Sequence, residues 1–307
     1  MEPTLTPFLS DPVSLSDRSH RRGVGSVVLP RLLTPADTGV MTEAGGLSWA
    51  ARKRETREGM PSMSFAEYRK NDAEARFTDW LRSGAEPHWT RMTTHRFARE
   101  LGEDTLDDAV AGRYLVQDYA FVNSFVSLLG SAIAAAPAMP SKRRFAGFAA
   151  AVTADENDFF LRSFEALGIP EGTWKTPELG PVTRDFIAVL EGAGRSGSYP
   201  HILAVLVAAE WSYLTWAQAC PARRPERFWL TEWIDLHAIP EFEAFVTWLR
   251  EETDRVGMAA DEGTGAAMRD SFRRMMVLEE AFFDAAYGGQ GPATSRVASA
   301  SAKSPDE

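Results

Sequence analysis

Three carboxylic acids stand where an amphipathic helix would place apolar side chains. In "YLVQDYAF", residues 114 to 121, Asp118 has Tyr114 and Leu115 one helical turn before it and Phe121 and Val122 one turn after. In "VLVAAEWSYLTW", residues 205 to 216, Glu210 lies between Leu206 and Val207 on one side and Tyr213 and Leu214 on the other. In "RRMMVLEEAFFDAAY", residues 273 to 287, Glu279 lies between Met275 and Met276 and then Phe282 and Phe283. Each acid carries an aromatic residue three positions on. A carboxylate in such surroundings either loses much of its hydration energy or takes up a proton. One isolated acid of this kind is readily paired off by a tyrosine hydroxyl, an arginine or a helix-end amide. Three on separate helices predict a shared polar pocket in a helical core. Such a pocket suits a flat, nitrogen-rich ligand, because aromatic rings sandwich the heterocycle while a carboxylate accepts hydrogen bonds from its N–H groups.

Other chemistries fit the sequence less well. A di-metal site in a helical bundle needs Glu-x-x-His spacing or an equivalent set of histidines. The five histidines are His20, His88, His95, His201 and His237, and none follows a glutamate by three or four positions. No metal site is expected. A haem needs an axial ligand, and an early helical histidine such as His95 is a poor candidate. "GAGRSGS" (192 to 198) lacks the Lys-Ser or Lys-Thr of a phosphate loop and reads as a plain loop. The single cysteine, Cys220, precedes Pro221 at a helix end, about 15 Å of axial rise beyond Glu210. A helix C-terminus disfavours a thiolate, so an inert thiol is expected there. No cofactor is expected either.

The elements that must carry these residues are helices. The 3.6-residue period runs over 64 to 84, 106 to 135, 142 to 167, 182 to 194, 199 to 219, 239 to 256 and 263 to 287. Stops such as "AAAPAMP", "LGIPEG" and "CPARRP" punctuate them, and alternating β-branched runs are missing. The expectation is an all-α domain, a bundle of about seven helices over 64–288. Residues 1–63 mix Pro, Ser, Thr, Gly and charge without a sustained period, as a disordered or loosely attached extension does. Met60 and Met63 stand where the ordered pattern begins, so a start codon assigned too far upstream is the alternative. Residues 289–307 read as a disordered tail.

Composition narrows the partners. A formal charge of −10 works against nucleic acid and anionic lipid, which are bound through clustered Lys and Arg. One cysteine excludes an internal disulfide and fits a reducing compartment. No run is expected to reach the ~18 apolar residues of a membrane span, and the reading is a soluble, cytoplasmic protein without a membrane partner. Trp174, Trp229 and Trp248 are candidates for exposed aromatics at an oligomer contact, or for core residues.

Six segments in order give the chain a family resemblance: "LGEDTLDDAVAGRYLVQDYAF", "FFLRSFEALGIP", "PVTRDFIAVL", "VAAEWSYLTW", "WIDLHAIPEFEAFVTWLR" and "LEEAFFDAAY". From about 77 to 287 the sequence resembles the TenA family, helical proteins of the haem-oxygenase-like fold that include thiaminase II and aminopyrimidine aminohydrolase. The resemblance implies salvage of the pyrimidine half of thiamin, by hydrolysis of an aminomethyl-pyrimidine to its hydroxymethyl form and ammonia. It also implies a homo-oligomer with a small-molecule pyrimidine substrate. Carried over by position, Asp118 would hold the ring's amino group and adjacent nitrogen, and Phe121 would stack on the ring. Tyr213 would support the acid machinery, Glu279 would act as acid/base at the leaving group, and Phe282 would line the pocket.

Departures from the family pattern refine that expectation. The better-known branch has a cysteine nucleophile four residues before the tyrosine matched by Tyr213, and here that residue is Ala209. Glu210 stands beside it, as in the branch that replaces the cysteine by glutamate. A carboxylate is the weaker nucleophile, so Glu210 is expected to handle protons, activate water or bind the ring. This argues against thiaminase activity and for hydrolysis of an aminomethyl- or formylaminomethyl-pyrimidine. Thr183 and His237 occupy places near which other members use tyrosines, and His237 is carried as a substrate-binding residue. The alternatives are a heterocycle-binding protein that has lost the chemistry, and an oxidative enzyme on the same scaffold.

Overall fold

Long stretches of uninterrupted 3.6-residue period become the long helices of the computed structural model, which describes residues 63–288. In chain order the helices are α1 (Phe65–Tyr68), α2 (Phe77–Gly84), α3 (His88–Thr93), α4 (Arg96–Gly102), α5 (Asp108–Ala135) and α6 (Met139–Ala151). A π-helical turn, Val152–Glu156, leads into α7 (Asn157–Ala166) and α8 (Glu171–Lys175). The chain continues through α9 (Pro181–Ser196), α10 (Tyr199–Ala219), α11 (Phe228–Leu236), α12 (Pro240–Met258) and α13 (Glu262–Ala286). Among the described residues there is no strand, and the all-α expectation holds. The expected extension and tail fall on residues 1–62 and 289–307, outside the described residues.

The differences from the sequence expectation have local causes. The first expected helix is two, α1 and α2, because "RKNDAEAR" between them offers no apolar face and Asp72 Oδ1 accepts the Glu74 N–H in a turn. The short helices α3, α4, α8 and α11 were not anticipated, since so few turns show too little of a period to be recognised. The segment expected as one helix over 142 to 167 is continuous but carries the π-turn in its middle. The long elements start where the sequence signals it. Asp107 caps α5 by accepting the Ala109 N–H at 2.8 Å, and Asp261 caps α13 by accepting that of Thr264 at 2.7 Å. Gly197, at φ +60, ends α9 in the left-handed conformation.

Helix α10 is the centre of the bundle, packed by α5, α9, α12 and α13 and by the short α3. Ile202, Leu203, Leu206 and Val207 are buried to within 1% of complete. Each such side chain contributes roughly 1.5–3 kcal/mol relative to exposure. Two helices, α5 and α10, are in fact long and apolar enough to cross a membrane by length and composition, contrary to the sequence expectation. For α10 the physical reason is burial on all sides, since 83% of its apolar window lies inside the fold. Helix α5 is less covered, with 22% of its window buried, and Val122, Phe125 and Val126 are only partly shielded. Trp174, Trp229 and Trp248 are partly buried against the core, with Trp174 stacked on Phe164 at 5.3 Å.

One close helix approach depends on a missing side chain. A Cβ on Gly257 of α12 would stand 2.2 Å from the ring of Phe77, itself buried among Phe65 and Trp80. We expect Gly257→Ala to destabilise the fold by about 1–3 kcal/mol through overpacking. Gly192→Ala in α9, where an added Cβ meets nothing within 4 Å, should instead be neutral or stabilising by about 0.5–1 kcal/mol. Urea unfolding of the two variants checks both, and equal effects would remove the packing argument.

Candidate active site

The three acids singled out in the sequence come from the three central helices and are all buried: Asp118 on α5 at 4% exposure, Glu210 on α10 at 7% and Glu279 on α13 at 2%. They act on one another. The Glu210 carboxyl is pushed well above the ordinary carboxylate range by burial, then by the negative charges of Glu156, Glu279 and Asp118. Asp118 is raised by burial and by Glu156, with the Tyr114 hydroxyl opposing, and Glu279 by burial and by Asp118. One Asp118 oxygen, Oδ2, is buried without a hydrogen-bond partner.

Glu156 is the fourth member, and sequence reasoning missed it. It ends the π-turn, is partly buried, and is raised to about 7 by burial. In "AVTADENDFF" it is one of three neighbouring acids with no apolar stripe of its own. A π-turn changes which residue points inward, so the α-helical period could not identify it.

Among the described residues, no arginine or lysine is among the charges that shift these four carboxyls. Glu252 on α12 shows what an ordinary buried acid looks like in the same molecule. It accepts bonds from Arg255 Nε and Nη2 at 2.8 Å each, from the Tyr199 hydroxyl at 2.8 Å and from Ser141 Oγ at 3.1 Å. Its carboxyl is held below the usual range, chiefly by Arg255. The contrast separates a structural acid from a group of acids left without a counter-charge.

Aromatic side chains surround the carboxyls. Phe121 stacks on Phe186 of α9 at 5.1 Å with the planes 8° apart. Phe282 meets Phe121 edge-on at 5.5 Å and Phe186 at 5.6 Å. Phe186, which its sequence context did not single out, thus completes a wall with the two expected phenylalanines. The Tyr213 hydroxyl is 2.7 Å from that of Tyr114, and either can donate. Burial first, and then nearby carboxylates, keep both phenols protonated. His237 meets the group through Tyr213, at 4.9 Å between rings, and packs among Trp216, Trp233 and Phe242. Its Nδ1 lies 2.9 Å from the Trp233 carbonyl and so carries the proton, and burial lowers its pKa to about 4. It is a neutral side chain bracing Tyr213. Thr183 Oγ1 donates to Gln117 Oε1 at 2.6 Å, one residue from Asp118.

Two residues weighed against catalysis have structural places. Cys220 caps α10, and its thiol is raised to about 11 by burial. His95 caps α4, accepting the Phe97 N–H at 3.1 Å on Nδ1, with Nε2 at 3.3 Å from Asp284. An open cleft of about 1010 Å³ is lined by Tyr114 and Phe282 and also by Arg113, Gln117, Thr183 and Glu178. None of the four carboxyls lines it, so it is distinct from the acid group and adjoins it at those two rings.

The profile of the TENA/THI-4/PQQC family matches residues 82–289. The chain belongs to this family. It is 22% identical over 214 residues to an aminopyrimidine aminohydrolase of Halalkalibacterium halodurans, covering 69% of this chain and 95% of that protein. It is 21% identical over 212 residues to one of Helicobacter pylori, covering 68% and 98%. Among solved structures, a TenA homologue from Pyrococcus furiosus superposes with a TM-score of 0.62 at 22% identity, covering 69% of this chain and 100% of that one. A TenA homologue from P. horikoshii gives 0.63 at 20%, covering 70% and 100%. At these identities the structures show the shared fold, which is the helical architecture the resemblance implied.

The acid group makes a stability prediction. A carboxyl whose folded pKa is raised contributes stability that is fully present below its unfolded pKa and lost as pH rises towards the folded value. Glu210→Gln should therefore be more stable than the wild type at about pH 8, with the difference vanishing as pH falls to about 4. Unfolding free energies at the two pH values test this, and a gap that is constant with pH would mean that Glu210 is not held protonated by its neighbours.

Proposed function

We propose that the protein is a C–N hydrolase acting on an aminomethyl- or formylaminomethyl-pyrimidine derived from thiamin, in the glutamate branch of its family. The observation that carries this reading is the group of buried carboxyls without a cation, set beside the Phe121, Phe186 and Phe282 wall, with Asp118 Oδ2 unpartnered. Such a site matches a flat ring rich in N–H donors. The names of the bacterial relatives, aminopyrimidine aminohydrolases, point to the same chemistry.

In this reading Asp118 accepts hydrogen bonds from the ring's amino group and adjacent nitrogen, and the phenylalanine wall holds the ring plane. Glu279 keeps the leaving nitrogen protonated as the C–N bond breaks. Glu210 takes a proton from the water whose oxygen bonds to the exocyclic carbon, so the products are the hydroxymethyl ring and ammonia. Both glutamates are raised by burial and then by neighbouring acids, so Glu210 takes that proton once the ligand's N–H donors or positive charge offset those acids. Tyr213, tied to Tyr114, is a hydroxyl held in place within the group. Position 209 offers only a methyl group where the other branch has a nucleophile, which favours hydrolysis over thiamin cleavage. Helix α5 leaves Val122, Phe125 and Val126 partly uncovered, which supports the homo-oligomer included in this reading.

Purified protein should release ammonia from the aminomethyl-pyrimidine, or formate from its formylated form when the water bonds to the formyl carbon and the amide C–N bond breaks, and Glu210→Ala should abolish the release. Glu279→Gln should remain folded and lose roughly 100-fold or more in turnover, the scale of a lost general acid/base. Tight pyrimidine binding with no ammonia or formate would make the protein a binder and sink the hydrolase reading. Wild-type turnover by a folded Glu279→Gln variant would remove Glu279 from the mechanism.

A further inference from the structure

The three acids on the central helices account for a polar site, but not for the fourth carboxyl brought to them. Glu156 reaches the group because the helix between α6 and α7 takes a π-turn over Val152–Glu156. On either side the chain is pinned to the core: Val152 is buried, and Asn157 Oδ1 accepts the Tyr119 hydroxyl at 3.0 Å, one residue from Asp118 on α5. Thr153, Ala154 and Asp155 within the turn are exposed, whereas Glu156 is partly buried. The turn thus spends its local irregularity on turning one acid inward, a common use of π-turns at functional sites.

Within the group, Glu156 acts on other acids. Its charge acts on Asp118 of α5 and on Glu210 of α10, and Glu279 of α13 acts on Glu210 as well. Its own turn and α7 add the exposed Asp155 and Asp158, and α7 also carries the exposed Arg162, which is paired with Glu232. Asp118 is more than nine-tenths buried and its Oδ2 lacks a hydrogen-bond partner, so the group holds a polar atom open to a ligand's donor. Where the fold needs a stable buried acid, at Glu252, it supplies an arginine. Here it supplies a fourth acid.

We propose that Glu156 is a specificity-determining residue of this site: set by the π-turn against Asp118 and Glu210, it completes a four-carboxyl cage that takes up a ring bearing a protonated amine and disfavours the same ring bearing a neutral substituent. The inference rests on the hydrolase reading above and narrows it. Hydrolysis of the protonated amine converts a cationic substrate to a neutral alcohol and an ammonium ion, so the cage that draws the substrate in has little hold on the ring once the C–N bond is broken. The formylated ring, neutral at its side chain, ranks below the amine.

Calorimetric binding tests this in a Glu279→Gln background, which slows turnover and leaves Asp118, Glu210 and Glu156 of the cage in place, with 4-amino-5-aminomethyl-2-methylpyrimidine and its 5-hydroxymethyl counterpart as probes. The amine should bind about 10-fold or more tightly than the alcohol. Adding Glu156→Gln should shrink that preference to within about 3-fold by weakening the amine alone, and Glu156→Asp, which keeps the charge, should restore it. A preference unchanged by Glu156→Gln, or no preference at the start, overturns the proposal. Binding of neither pyrimidine sinks the hydrolase reading, and the cage is then judged without ligand from the unfolding of Glu156→Gln, Glu210→Gln and the double variant. At about pH 8 the two effects should be non-additive, since either change relieves the same repulsion, and at about pH 4 they should add. Additivity at the higher pH overturns the cage as well.

Discussion

Placing carboxyl groups inside an apolar bundle without a cation is the constraint on which the rest of this structure depends. Each buried acid is disfavoured in its ionised form, first by lost hydration and then by its neighbours' charges. The fold tolerates this because the surrounding helices are tied together by extensive apolar burial. Helix α10 carries Glu210 on a largely apolar cylinder, with Ile202, Leu203, Leu206 and Val207 packed into the neighbouring helices. The stability of that packing offsets a site that, left to itself, would take up protons or water.

Rigidity follows from the same arrangement. Tyr114 and Tyr213 come from different helices and meet through their hydroxyls, so α5 and α10 are held in register beside the acids. His237 is fixed in turn by the Trp233 carbonyl and braces Tyr213 from a third helix end. Phe121, Phe186 and Phe282 join α5, α9 and α13 in one aromatic wall. A site built from helices in this way positions its polar groups better than one built on loops, because each side chain's rotamer is held by its neighbours.

The contrast between Glu252 and the acid group shows how one chain uses the same chemical group for two purposes. Glu252 is surrounded by donors and stabilises its ionised form. Asp118, Glu210, Glu279 and Glu156 repel one another, and a donor-rich or cationic ligand relieves that repulsion. Burial alone does not distinguish the two cases. The identity of the neighbouring charges does.

Local pattern by itself determined the helical class, the long helices and the three acids with an aromatic residue one turn on, because side chains three and four positions apart share a helix face whatever the tertiary fold. The same logic made α10 legible from Tyr199 to Ala219 and left α3, α4, α8 and α11 illegible, since a short helix shows too few turns of its period. It also misjudged membrane-like apolarity in α5 and α10, because burial on many sides and insertion in lipid demand the same composition. Only the tertiary structure decided which acids meet. It brought Glu156 in through a π-turn that has no α-helical period, set Phe186 against Phe121, and left His237 behind Tyr213. These are contacts between segments far apart in the chain. Sequence spacing determines only which residues share a face, while the packing of the helices determines what that face meets.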